Sequence, residues 1–334
     1  MVRSRRCQGL LLGLLLLVVA VLASLVVGSR SIGVAQVFEA LSAYDRLDDQ
    51  HLIVRELRVP RTLVAILAGL ALGLAGAIMQ AVTRNPLAEP GLLGINAGAG
   101  VGVIVGVAVL GLSSMSGYVW CAFVGAGLAG VAVFMLSRAQ ETGTNPVRLV
   151  LAGAGLSVML ASVTGIIILN APAQVFDQFR HWASGSLEKS GFEAVGVLAM
   201  AVMPGAVTVL ALAGSLNAMA LGKDLGLALG VNVRLTWLLA CLAVMLLAGA
   251  ATAAAGPIGF VGLVAPHLAR LLVGPDYRWI LPYSALFAGV LLLGADVLGR
   301  VVAAPAEVAA GIVALLIGGP FFIALVRTFR LSKL

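Results

Sequence analysis

The stretch TLVAILAGLALGLAGAIMQAVTRNPLAEPGLLGINAGAG, residues 62–100, decides the fold. Residues 62–82 carry no charge, and a helix that crosses a bilayer needs about 20 such residues. A short polar cluster follows, and then the apolar sequence resumes. Asn85-Pro86 ends the first helix, because a residue before proline is pushed out of the helical region. Glu89-Pro90 starts the next, since a carboxylate and a proline both favour a helix N-terminus. Gly69 and Gly73, then Gly94, Gly98, Gly102 and Gly106, recur at four-residue spacing, which lets helix backbones approach closely. The stretch therefore reads as span, tight turn, span.

The same pattern extends along the whole chain. Of 334 residues, 61% are hydrophobic and 10% charged, with a mean hydropathy of +1.11. A soluble domain carries about 25% charged residues, so lipid must solvate most of this protein. Spans are expected at 10–28, 62–82, 92–112, 117–137, 149–169, 194–214, 235–255, 257–273, 279–299 and 308–326. Pro257, Gly259, Gly262, Pro266 and His267 interrupt the eighth. The first follows Arg3, Arg5 and Arg6 and is longer than a signal-peptide core. With the N-terminus inside, inner segments collect 13 basic and 4 acidic residues, and outer ones 8 and 10. That asymmetry obeys the positive-inside rule and leaves the C-terminal RTFRLSKL inside as well. The expected fold is an all-α polytopic membrane protein, one domain over 1–334, with an outer loop at 29–61, a second at 170–193, and a cytoplasmic segment at 215–234 made of two short helices. Trp120, Trp237 and Trp279 fall near span ends, as an interfacial aromatic belt would.

Several chemistries are excluded. The net charge of +7 has no basic-aromatic run behind it, so nucleic acid is set aside. Cys7, Cys121 and Cys241 lie too far apart for a metal or redox motif. GAGVG at 98–102 lacks the dinucleotide spacing, and Gly222-Lys223 fails the phosphate-loop pattern, so any ATP binds another chain. His267 has no second ligand at metal spacing. Asp296 is the sole acid inside a span; with Arg300 one turn on, it reads as a helix-end ion pair of small weight rather than a proton relay. That argues against an ion-driven carrier. Arg58 and Arg61 bracket Pro60 at an outer span end, where snorkelling anchors and docking points for an acidic partner are equally consistent.

Four stretches carry a resemblance: LRVPRTLVAILAGLALGLAGAIMQAVTRNPLAEPGLLGINAGAG (57–100), AAGPIGFVGLVAPHLARLLVG (254–274), GADVLGRVV (294–302) and LIGGPFFIALVR (316–327). Together they resemble the FecCD-type permeases of ABC importers for iron-siderophores, haem and cobalamin. With FDQFRHWASGSL (176–187), the first looks most like ferric-enterobactin-type permeases. The resemblance implies ten membrane helices in the bacterial inner membrane and no catalytic residue or cofactor in this chain, with ATP and magnesium on two partner ATPases. It implies a second permease subunit, a paralogue by analogy with enterobactin systems, and a periplasmic or lipid-anchored binding protein that delivers a ferric siderophore. By the same resemblance, Arg58, Arg61 and Arg300 dock that binding protein. Leu221, Gly222, Asp224, Gly226, Leu229 and Gly230 form coupling helices against the ATPase. Asn85, Pro86, Glu89 and Pro90 make a structural turn near the path.

Overall fold

The computed structural model describes residues 2–28, 30–112, 114–137, 146–188 and 190–328, and every regular element among them is helical. Arg138, Glu141, Lys189, Arg330 and Lys333, which enter the loop charge count, lie outside the described residues. In chain order the helices are α1 (Val2–Val26), α2 (Val34–Ser42), α3 (Asp49–Leu52), a π-helical turn (Ile53–Arg58), α4 (Val59–Thr83), a 3-10 turn (Pro90–Leu93), α5 (Ile95–Ala108), α6 (Met115–Leu136), α7 (Pro146–Leu169), α8 (Ala173–Ala183), α9 (Phe192–Ala220), α10 (Lys223–Ala228), α11 (Val233–Ala255), α12 (Val261–Val273), α13 (Tyr277–Val302) and α14 (Ala310–Thr328). Polar caps set several starts: Ser114 Oγ accepts from Gly117 N, Asn232 Oδ1 from Leu235 N, and Asp276 Oδ1 from Arg278 N.

Among the described residues, eight helices are long and apolar enough to cross a membrane, and α5 and α12 are shorter apolar helices, which together make the ten anticipated. The two short ones depart from their expected lengths. At 14 and 13 residues they rise about 20 Å, less than a hydrocarbon core of about 30 Å. The missing length is taken up by the irregular segments 84–94 and 256–260, which fold back into the bundle. Irregular backbone survives at such depth only where protein buries it. Here the two segments cover each other: Glu89 Oε1 accepts from Phe260 N at 3.0 Å, and Pro90 packs on Gly262.

Helices α4 and α11 run through the centre with most of their residues buried, while α1 and α7 lie at the edge. The glycine spacing read from sequence is used as expected. Gly69 and Gly73 seat α4 on the backbone of α13, and Gly98, Gly102 and Gly106 seat α5 on α6.

The connecting segment 170–193 contains a helix: α8 buries Trp182, whose indole Nε1 donates to Ala253 O at 3.4 Å, and its ring lies over Gly100. One expectation fails. Trp237 is not interfacial but 3% exposed inside the core, because its face of α11 meets the bundle rather than lipid.

Candidate functional site

At one end of the bundle the three arginines singled out from sequence come together with two carboxylates. Arg61 donates through Nε and Nη2 to Asp296 at 2.8–3.2 Å, and through Nη1 to Glu307 Oε2 at 2.7 Å. Arg300 pairs with the same Asp296 and donates to Ser24 O at 2.8 Å. Arg58 donates to Leu25 O at 2.6 Å, to Val26 O at 2.8 Å, and to Arg30 O. Ser24 Oγ and Thr62 Oγ1 complete the cluster at 2.7 Å. The ends of α1, α4 and α13 are thereby pinned to one another.

Arg58, Arg61 and Arg300 are 6%, 8% and 2% exposed, and their guanidinium groups are engaged by groups of this chain. One reading is corrected. Asp296 is fully buried and shared by two arginines, which makes it a structural hub and not a surface ion pair. Only the Asp296–Arg300 spacing was legible, since Arg61 lies 235 residues away from Asp296 in sequence. Glu307, which no motif marked, is the member of the cluster with the greatest side-chain exposure at 22%. It borders a cavity of about 280 Å³ also lined by Arg61, His181, Ser186 and Glu188.

The turn 84–94 differs in its chemistry from the sequence expectation. Arg84 takes a left-handed conformation, and Asn85 Oδ1 accepts from Leu87 N at 2.9 Å, which closes the turn before Pro86 has any helix to break. Pro90 starts the 3-10 turn, but the Glu89 carboxylate does not cap it. It reaches across to the start of α12 instead. Glu89→Gln keeps an acceptor for Phe260 N, whereas Glu89→Ala orphans that buried N–H and is expected to lose about 1–3 kcal/mol in thermal unfolding relative to the Gln variant.

At the end of the bundle that carries Thr83 and Ala220, α10 stands between Gly222 and Gly230, whose φ values of +123° and +80° only glycine adopts without strain. The expected pair of short helices is a single one, because α9 continues unbroken through Ala220. Gly226 is buried against Ala218, and Asp224 is exposed. Leu221, Leu225, Leu227 and Leu229 are 52–64% exposed. Apolar side chains gathered on an exposed turn mark a contact surface. Asn217 braces its base, donating to Asp276 and accepting from Tyr277 N at 2.8 Å.

Polar pairs inside the bundle escaped the sequence reading. Thr252 Oγ1 donates to Asn96 Oδ1 at 2.9 Å, and Gln80 links Leu263 O to Arg270. Single Asn and Gln residues in apolar runs are the only signal they leave. Among the described residues no three His, Cys, Asp or Glu converge on a metal-sized site, and His267 sits edge-on to Phe321.

Comparison with known proteins gives these parts a context. Residues 16–328 match the FecCD transport family. The ferric enterobactin transport system permease protein FepD of Escherichia coli (strain K12) is 45% identical over 315 residues, covering 94% of this chain and 93% of FepD. The hemin transport system permease protein HmuU of Yersinia pestis is 37% identical over 326 residues, 96% of each chain. A solved structure of a metal-chelate type ABC transporter in an inward-facing conformation superposes with a TM-score of 0.83 at 27% identity, covering 96% of this chain and 99% of that one.

Proposed function

Since the chain belongs to the FecCD transport family and is the membrane permease subunit of an ABC importer, its ATPase being a separate subunit, we propose that its cargo is a ferric siderophore. Its greater identity to an enterobactin permease than to a haemin permease supports that cargo over haem. The importer needs a partner permease, here proposed as a paralogue, and a binding protein that delivers the substrate. The positive-inside bias supports both termini, and α10, on the cytoplasmic side of a bacterial inner membrane. The binding protein then meets the end that carries the arginine cluster. Arg58, Arg61 and Arg300 hold that platform from beneath.

The observation that carries the mechanism is α10 itself. A short helix with exposed leucines, packed on α9, whose Asn217 is tied to the start of α13, can pass a push from the ATPase to the bundle. Among the described acids, the one buried within the spans, Asp296, is committed to two arginines, which disfavours a secondary carrier. Reconstitution in liposomes with both permeases, the ATPase and the binding protein tests the reading. Uptake of the ferric siderophore should require ATP, and uptake driven by a proton gradient without ATPase would refute it. In the same assay Leu229→Asp, at an exposed position, is expected to lower uptake at least about fivefold, as for an interface residue worth more than ~1 kcal/mol, while the bundle remains folded.

A further inference from the structure

Between the first half of α1 and the neighbouring parts of α12 and α13 lies a cleft of about 640 Å³, apart from the arginine cluster and from α10. We propose that it binds an anionic glycerophospholipid, with the phosphodiester at Arg5 and Arg6 and one acyl chain along the groove. The proposal goes beyond the transport reading and stands without it.

The walls are apolar. Leu12 and Leu16 of α1 and Leu272 of α12 are 58%, 48% and 67% exposed, and Phe287 of α13 faces them across the cleft. The mouth is basic. Arg5 and Arg6 line it, and among the described residues no carboxylate does. The Arg6 guanidinium lies 5.8 Å from the Trp279 ring centre, and Arg6 O accepts from Tyr283 Oη at 2.6 Å. Trp and Tyr gather at the headgroup level of a bilayer, so the two cations sit where a phosphate would be.

The dimensions also fit. The ten residue-to-residue steps from Arg6 to Leu16 rise about 15 Å, half of a hydrocarbon core of about 30 Å. The groove is therefore one leaflet long, basic at one end and apolar at the other. Its origin is visible in the packing. Gly9 lets α1 close onto the Tyr283 hydroxyl, and Leu272 and Val273 at the end of α12 form the other wall. Two cations without a counter-charge favour an anionic headgroup over a zwitterionic one.

The test is native mass spectrometry of the purified full chain in detergent, titrated with phosphatidylglycerol or phosphatidylethanolamine of matched chains. The native protein should retain the first in preference to the second. Arg5→Gln with Arg6→Gln should weaken phosphatidylglycerol binding about thirtyfold, two cations each contributing near the surface, and weaken phosphatidylethanolamine, whose own ammonium offsets its phosphate, by much less. Gly13→Leu should weaken both lipids. A Cβ there meets Leu286 at an ordinary 3.5 Å, so the helix contact survives while the side chain enters the groove. An unchanged elution profile establishes that each variant is folded. Equal retention of the two lipids by the native protein, unchanged phosphatidylglycerol binding in the double variant or in Gly13→Leu, or displacement by inorganic phosphate alone would overturn the proposal.

Discussion

Replacing Asp296 with alanine is expected to destabilise the protein by about 3–5 kcal/mol, the cost of leaving a buried ion pair without one partner. Asp296 is fully buried and neutralises both Arg61 and Arg300. Without it, two guanidinium groups face each other where water cannot reach them, and the ends of α1, α4 and α13 lose their common anchor. Glu307→Gln should cost far less, because its carboxylate is partly exposed and serves one arginine. Thermal unfolding of the detergent-solubilised protein, followed by its elution profile, measures the difference. The variant Arg61→Met, Asp296→Leu, Arg300→Met should recover much of the loss, since apolar residues of similar volume often replace a buried ionic group without penalty. An Asp296→Ala protein as stable as the native one would show that the network carries no weight.

The second large effect is expected at Gly76. A Cβ placed there would lie 2.8 Å from the Cα of Gly262 and closer still to its carbonyl oxygen. Both partners are backbone, so neither can rotate aside. Gly76→Leu must separate α4 from α12, in the region where the irregular segments 84–94 and 256–260 cover each other. The expected loss is about 3 kcal/mol, at the upper end of overpacking costs. Its control is Gly127→Leu on α6, where no atom lies within 4 Å of a built Cβ. There the change in thermal unfolding should stay within about 0.5 kcal/mol, as for an uncrowded surface site. Equal effects at the two positions would contradict the close α4–α12 approach.

These results also separate two views of the arginines. The motif reading expects Arg58→Glu with Arg61→Glu to weaken docking and leave the bundle intact. The structure expects the bundle itself to fail, because both side chains are buried and committed to carbonyl oxygens and carboxylates. Comparing solubilised yield with binding-protein affinity in that variant distinguishes them.

The amino-acid sequence by itself determined the solvent, the number of spans, their alternation and the family. Those follow from hydropathy, loop charge and contiguous motifs, which are local along the chain. It also placed Gly69, Gly73 and the α5 glycines at close approaches, because a four-residue period on a helix is a face. Only the tertiary structure decided what the polar residues do. Arg61 meets Asp296, Glu89 meets Phe260, Asn96 meets Thr252 and Gln80 meets Leu263, all across more than 150 positions of sequence. In a bundle surrounded by lipid a polar group must find its partner inside the protein. Which partner it finds depends on how helices distant in sequence come to lie side by side, and no local pattern records that.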